Sequence, residues 1–347
     1  MKILQSKALF QHNGSDVFLY TLKNKAGVEV CISNLGAIIQ SFKVPDRTGN
    51  VIDIVLGFDT MEQYLSSDYL NTSSYLGAVV GRYANRVGNA CIEIDGQTFQ
   101  LSSNMSPHQI HGGYEGFDSK VWHVENTDDL SVGKLKMSYL SKDAEEGYPG
   151  NLTVSICFSL NDENELIIDT EAITDKSTAI NLTHHDYFNL HGSGRIEDHW
   201  VQIPSGFYLG QHPDNLANGE ILSVLGTKYD FKSSKQIKED WDPVSGYDQS
   251  FVLDKEYGVY GKAATAYSDK SGIKLEVFTD EPTVHFYTGK HLGIADARNG
   301  AFYGPFSGFC FETQHHCNAV NIPEFPSTIL RPEQVYRHKT GYCVSSQ

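Results

Sequence analysis

No CxxC pair occurs in this 347-residue chain, although it carries six cysteines. Cys31, Cys91, Cys157, Cys310, Cys317 and Cys343 are scattered, several of them inside apolar strand-like runs where a thiol behaves as a small hydrophobe. That usage predicts free thiols rather than a disulfide framework. No stretch approaches the roughly 18 consecutive apolar residues of a membrane-spanning helix. The start, Met1-Lys2-Ile3-Leu4-Gln5-Ser6-Lys7, lacks the unbroken apolar core and small-residue cleavage site of a secretory leader, which predicts a cytoplasmic protein. Basic charge is also scarce: 27 Lys+Arg stand against 43 Asp+Glu, a formal net charge of −16. A nucleic-acid binder neutralises phosphates with a basic face, and an anionic membrane asks for the same, so neither is an expected partner. No GxGxxG opens a helix after a strand and no GxxxxGK[ST] is present, so no nucleotide cofactor is expected. A GxSxG elbow, the mark of one large class of serine hydrolases, is missing too.

What is present is core material, since 40% of residues are hydrophobic and 20% charged, which argues against disorder. The dominant period is two. Leu152, Val154, Ile156, Phe158 and Leu160 alternate with Thr153, Ser155, Cys157 and Ser159, and after Asn161-Asp162-Glu163-Asn164 the alternation resumes at Leu166, Ile168 and Thr170, which predicts a hairpin. A second hairpin runs from Ile92 and Ile94 to Phe99 and Leu101 around Asp95-Gly96, a dipeptide suited to a type I′ turn. A third pairs Ala263–Tyr267 with Ile273–Phe278. Further strands are expected at Val17–Leu22, Val28–Ser33, Ile52–Gly57, Leu135–Leu140 and Val284–Thr288.

Helical signals are few. Asp59, followed three residues later by Glu62, predicts a capped short helix through Tyr64. Pro204 to Gln249 is rich in Gly, Asn, Asp and Pro and is expected to form long loops with short strands. No linker, charge block or fixed-period repeat divides the chain. The expectation is one domain over residues 1–347: an all-β fold, a large and mostly antiparallel sandwich or barrel with few short helices.

Chemistry concentrates around the 14 histidines. His184 and His185 are adjacent, so in a strand they face opposite sides and only one can look into a given pocket. Histidine moves its proton near neutral pH, which makes the one facing a cleft a candidate general acid or base; a satisfied polar pair at a strand end is the alternative. Glu312 sits in the apolar run Phe309-Cys310-Phe311-Glu312-Thr313-Gln314, where burial would raise its pKa toward that of a useful base; a salt-bridged or edge-exposed glutamate is the alternative. His111-Gly112-Gly113 allows close approach of backbone to a ligand, or is a plain turn. His315-His316-Cys317 and His184/His185 offer nitrogen and sulfur ligands, but adjacent residues rarely share one ion and no HExxH spacing occurs, so no metal is expected. The 19 Tyr, 18 Phe and 3 Trp suit a site that stacks on the apolar faces of sugars, although most will be core.

Seven segments then stand in order. Gly77-Ala78-Val79-Val80-Gly81-Arg82-Tyr83-Ala84-Asn85-Arg86 is followed by Ile110-His111-Gly112-Gly113, Gly147-Tyr148-Pro149-Gly150 and His185-Asp186-Tyr187-Phe188-Asn189-Leu190. Gly246-Tyr247-Asp248, Phe286-Tyr287-Thr288-Gly289 and Gly308-Phe309-Cys310-Phe311-Glu312-Thr313-Gln314 complete the set. Together, over about residues 26 to 337, they resemble the aldose 1-epimerases, or galactose mutarotases. The resemblance implies a β-sandwich with an open sugar cleft, no cofactor and no metal, acting as a monomer or homodimer on free aldoses such as galactose and glucose. It further implies that Glu312 is the base at the C1 hydroxyl and His185 the acid at the ring oxygen, the pair exchanging roles as the ring closes on the other carbonyl face. Asn85, Arg86, His111, Asp248 and His285 are implied to hold the sugar.

Ring opening removes a proton at one oxygen and delivers one at its neighbour, which matches a base and an acid on either side of C1. Three positions depart from the family pattern: His184 stands where Asn is usual, His285 where many relatives carry Gln, and His315-His316-Cys317-Asn318 lacks the usual Pro-Asp. Competing expectations are a hexose-6-phosphate 1-epimerase, a sugar-binding sandwich without catalysis, and a histidine-based zinc protein.

Overall fold

The computed structural model describes residues 3–125 and 133–347. Its backbone is built from antiparallel strands. A nine-stranded sheet runs in spatial order His123–Val124, Lys134–Ser141, Leu152–Leu160, Glu165–Thr174, Tyr336–Ser346, Ile273–Thr279, Gly261–Tyr267, Trp200–Gln202 and Lys235–Gln236. A five-stranded sheet orders Leu4–Gln5, Leu19–Lys23, Glu29–Ser33, Ile39–Pro45 and Val51–Asp53. A second five-stranded sheet orders Ala217–Ser223, Phe207–Gln211, Asp248–Val252, Thr283–Tyr287 and Cys310–Gln314.

The alternation seen in the sequence is what sandwiches these sheets. Along Leu152–Leu160 every odd member of the strand is buried and the intervening residues are partly or fully exposed. Val154, Ile156 and Phe158 meet Tyr20, Val30 and Phe42 of one five-stranded sheet and Phe251, Phe286 and Phe311 of the other in a single hydrophobic cluster. Each large side chain buried there contributes about 1.5–3 kcal/mol, which is why the fold is a large β-sandwich rather than an open sheet.

The three hairpins form. Leu152–Leu160 pairs with Glu165–Thr174 over nine residues, in register from Leu160↔Leu166 to Leu152↔Thr174. Asp95 and Gly96 have φ of 53° and 77°, the two positive values that a type I′ turn requires. Gly261–Tyr267 pairs with Ile273–Thr279, with a register shift between Lys262 and Ala264. The expected strand over Val17–Leu22 is two strands, Ser15–Val17 and Leu19–Lys23, because the N–H of Phe18 donates to Asn34 Oδ1 at 2.7 Å. Ile52–Gly57 is shorter than expected: the strand is Val51–Asp53, and Val55 then bridges to Phe188.

The helix prediction is corrected. Glu62–Leu65 is a 3₁₀ turn whose N-cap is Met61, without a side-chain cap bond. Asp59 is drawn away, its Oδ2 accepting from the N–H of Asn299, and Gln63 Oε1 takes the N–H of Thr60 instead. The one α-helix among the described residues is Ser67–Leu70, capped by the Ser66 hydroxyl. Between Pro204 and Gln249, loops alternate with the short strands Phe207–Gln211, Ala217–Ser223 and Lys235–Gln236. None of the six cysteines forms a disulfide.

Candidate active site

Three neighbouring strands, Asp248–Val252, Thr283–Tyr287 and Cys310–Gln314, supply one wall of a cavity of about 350 Å³. Their register sets Ser250 opposite His285 and His285 opposite Glu312, and two residues along sets Asp248 opposite Tyr287 and Tyr287 opposite Cys310. Side chains alternate across a strand, so these six share a face while Phe286 and Phe311 point the other way into the core. The apolar run around Glu312 is therefore two-faced. One face is held by the core, and that anchorage fixes the carboxylate on the other.

His185 enters from the opposite side. Thr183–His184 pairs with Val79–Val80, and the alternation sends His184 inward and His185 to the cavity. The His185 ring lies 4.9 Å from Tyr187 and 6.0 Å from Tyr75, both nearly parallel to it, with the His111 ring edge-on at 5.2 Å. Its Nδ1 is 3.6 Å from Cys310 Sγ. Its Nε2 stands 3.6 Å from Glu312 Oε1, too far for a good hydrogen bond, and Glu312 Oε2 is buried without a partner. An imidazole and a carboxylate thus face each other across a gap.

The Tyr83-Ala84-Asn85-Arg86 segment and His111 close a third side. Asn85 adopts φ 59° and its Oδ1 accepts the N–H of Arg86 at 2.8 Å. His111 Nδ1 accepts the N–H of Asn85 at 3.3 Å, which places the ring proton on Nε2. Burial, then the nearby His185 and Arg86, hold His111 well below the ordinary histidine pKa, so it is a neutral donor. Gly112 is obligatory: at φ 90°, a Cβ there would lie 1.9 Å from the carbonyl oxygen of Gly81. Arg86 Nε is buried without a partner.

Asp248 Oδ1 meets His285 Nε2 at 2.8 Å, and Asp248 Oδ2 accepts from Asn215 Nδ2 at 3.2 Å. Burial would raise the Asp248 carboxyl, but the bond and charge of His285, with Arg86, hold it below the usual carboxylate range.

All seven residues singled out from the sequence line this cavity: Asn85, Arg86, His111, His185, Asp248, His285 and Glu312. It does not gather the other histidines singled out from the sequence. His184 packs edge-on to Phe158 and bonds Ala37 O and Asp186, while His315 and His316 turn to Tyr257 and Phe325. Arg82 of the first motif is also structural, binding Ser141, Thr178 and the carbonyls of Pro149 and Gly150. Sequence reasoning missed Tyr75, which carries no periodic or motif signal, and His291 and Met105 at the cavity. One metal-capable group exists among the described residues. His111, His185 and Glu312 have ligand atoms within 4.8 Å of one another, a spacing that must contract to reach zinc bonds of about 2.0–2.2 Å.

Comparison with known proteins aligns with this geometry. The aldose 1-epimerase family profile matches residues 19–343. The chain is 38% identical to the galactose mutarotase of Homo sapiens over 327 residues, covering 92% of this chain and 91% of that one. It is 34% identical to the aldose 1-epimerase of Escherichia coli (strain K12) over 339 residues, covering 95% and 96%. Among solved structures, a GalM/aldose epimerase homologue from C. elegans superposes with a TM-score of 0.88 at 29% identity, covering 94% of this chain and 98% of that one. A galactose 1-epimerase from Lactobacillus acidophilus superposes at 0.86 with 26% identity, covering 99% of each.

Proposed function

This chain belongs to the aldose 1-epimerase family, and from that premise we propose that Glu312 and His185 carry its reaction as base and acid. The protein is an enzyme that interconverts the α and β anomers of aldoses. The observation that supports the assignment is the 3.6 Å gap between His185 Nε2 and Glu312 Oε1, with the second Glu312 oxygen buried and unpartnered. The C1 hydroxyl and the ring oxygen are bonded to the same carbon, so their two proton transfers need groups this close.

Glu312 accepts the proton of the C1 hydroxyl. The C1–ring oxygen bond breaks, its electron pair passes to the ring oxygen, and that oxygen takes the proton of His185 Nε2. The open aldehyde rotates about C1–C2. His185 then removes the proton from the same hydroxyl, the ring closes on the other face, and Glu312 returns its proton to the new C1 oxygen. General acid–base assistance of this kind contributes about 10²–10⁴-fold. Arg86 and the Nε2–H of His111 donate to sugar hydroxyls, Asp248 accepts from them, Asn85 shapes the same side, and His285 forms the wall against which the sugar lies.

Galactose and glucose are the proposed substrates. The test is polarimetry of freshly dissolved α-galactose and α-glucose, corrected for spontaneous mutarotation. Acceleration of both traces is expected, and traces identical to buffer alone overturn the reading. We read residues 1–347 as one domain, supported by a hydrophobic cluster that reaches from Ile3 to Val344. The absence of disulfides and a net charge of −16 support a cytoplasmic protein without nucleic-acid or membrane partners, which we read as a monomer or homodimer. No helix among the described residues is long and apolar enough to cross a membrane.

A further inference from the structure

His285 has no part in the proton transfers at C1, yet it sits at the centre of the catalytic wall, 2% exposed. Both of its ring nitrogens are occupied. Nε2 meets Asp248 Oδ1 at 2.8 Å and Nδ1 meets Ser250 Oγ at 2.7 Å, so neither is left to bind a sugar hydroxyl. Ser250 Oγ lies 3.1 Å from Cys317 Sγ, which also accepts from Gln314 Nε2 at 3.0 Å. On the other flank, register places Glu312 directly opposite His285, and such partners hold their Cβ atoms about 4.5–5.5 Å apart.

Two proton arrangements satisfy these distances. In the first the ring is an imidazolium that donates to Asp248 and Ser250, and the Ser250 hydroxyl turns its own proton to Cys317 Sγ. In the second the ring is neutral, Ser250 donates to Nδ1, and the Cys317 thiol donates to Ser250. The groups that face the ring decide between them. Two carboxylates, Asp248 and Glu312, flank it, Cys317 lies beyond Ser250, His111 is neutral, and the charges of Arg86 and His291 act on Asp248. Burial alone favours the neutral ring, but the Asp248 bond, Cys317 and the Glu312 charge outweigh it and push His285 up to about 10.

We propose that His285 is a positioning residue that stays an imidazolium through the catalytic cycle, its two N–H groups spanning Ser250 and Asp248 and fixing Asp248 as an acceptor for sugar hydroxyls. The part of Asp248 in holding the sugar rests on the proposed mechanism.

Imidazole ¹H–¹⁵N spectra of the intact protein, with His285→Gln for assignment, read the charge directly. Two protonated ring nitrogens up to at least pH 8 are expected, and a single protonated nitrogen at pH 7 overturns the proposal. This readout needs no turnover, so its failure is separate from a failure of the mutarotase mechanism. Kinetics test the positioning. In His285→Gln, which leaves Asp248 without its fixed partner, KM should rise by about tenfold or more while kcat changes less. Ser250→Ala, which removes only the Nδ1 partner, should raise KM by less. A merely structural role lowers kcat and leaves KM in place, and an unmoved KM in both variants overturns the proposal.

Discussion

Two buried glutamates in this protein invite comparison. Glu312 and Glu281 are 1% and 2% exposed, each keeps one carboxyl oxygen without a partner, and each has a histidine nearby. His185 Nε2 is 3.6 Å from Glu312 Oε1, and His338 Nδ1 is 4.0 Å from Glu281 Oε1. Their surroundings differ. Glu312 opens onto the cavity among Arg86, His111, Asp248 and His285. Glu281 is wedged between Asp280, Tyr336 and His338 and lies outside that cavity. Burial, reinforced by Asp280, pushes its carboxyl up to about 8, and burial drives His338 down to about 3. Near neutral pH the Glu281 pair is therefore uncharged on both sides. A buried carboxyl beside an imidazole is common to both regions, and what sets Glu312 apart is an opening with convergent polar groups, the Arg86 guanidinium among them.

The sharpest break of this comparison is at the pair in the cavity. Glu312→Gln keeps size and hydrogen bonding but cannot accept a proton, and His185→Asn cannot deliver one. Each should lower the mutarotation rate by at least ~10²-fold while the fold survives, as circular dichroism would report. The double variant should be little slower than the worse single one, because the two act as a unit. A folded Glu312→Gln protein turning over α-galactose at about half the wild-type rate sinks the mechanism.

Next come the residues that surround Glu312 and have no counterpart at Glu281. Arg86→Ala and Asp248→Ala should leave sugar hydroxyls unpaired, and a charged hydrogen bond lost in a buried site costs about 1.5–3 kcal/mol, or roughly 10- to 150-fold in kcat/KM. Wild-type kcat/KM in both variants would remove these residues from the site.

How far each region could be read in advance follows from where its information lies. The Leu152–Leu160 hairpin and the Asp95-Gly96 turn were legible because alternation and positive φ are local properties. The break at Phe18 and the failed cap at Asp59 were not, since Asn34 and Asn299 supply the competing hydrogen bonds from 16 and 240 residues away. Glu312 stood out as a carboxylate in an apolar run and His185 as one of two adjacent histidines, and the ordered motifs attached roles to them. The contacts of Ser250 with His285 and Cys317 depend on strands lying in register and on the turn after Gln314, which no single run of residues encodes. Glu281 carried no local signal, because its burial is set by Tyr336 and His338 on a strand more than 50 residues further along the chain.

Smaller in effect is the loss of the glutamate outside the cavity. Glu281→Gln should leave the mutarotation rate within about twofold of wild type, since it touches no reacting group. Its signature is in stability. With a folded pKa of about 8, above the usual glutamate value of 4.5, folding retains a proton that the unfolded chain releases. The stability this group contributes is complete below the unfolded pKa and is lost as pH rises toward about 8. Melting temperatures at pH 5, 6.5 and 8 should therefore fall less in Glu281→Gln than in wild type. An equal fall in both places the Glu281 carboxyl near its unperturbed pKa, and a rate loss comparable with Glu312→Gln means that the two regions are not distinct.

The smallest expected effect is none. His111, His185 and Glu312 form a possible three-ligand set, whereas Glu281 is paired with the single imidazole of His338. If an ion held the three together, the difference between the two glutamates would lie in a metal rather than in the cavity and its hydrogen-bond donors. The proposed proton transfers need only side chains: Glu312 accepts from the C1 hydroxyl, and His185 donates from the nitrogen that a metal would occupy. A bound ion would compete with both steps, because coordination requires the imidazole deprotonated and the carboxylate engaged. Prolonged dialysis against EDTA should therefore leave the mutarotation rate unchanged, and micromolar zinc added back should slow it or do nothing. Loss of activity on dialysis with recovery on adding zinc would make the His111–His185–Glu312 cluster a metal centre and dismiss the acid–base pair.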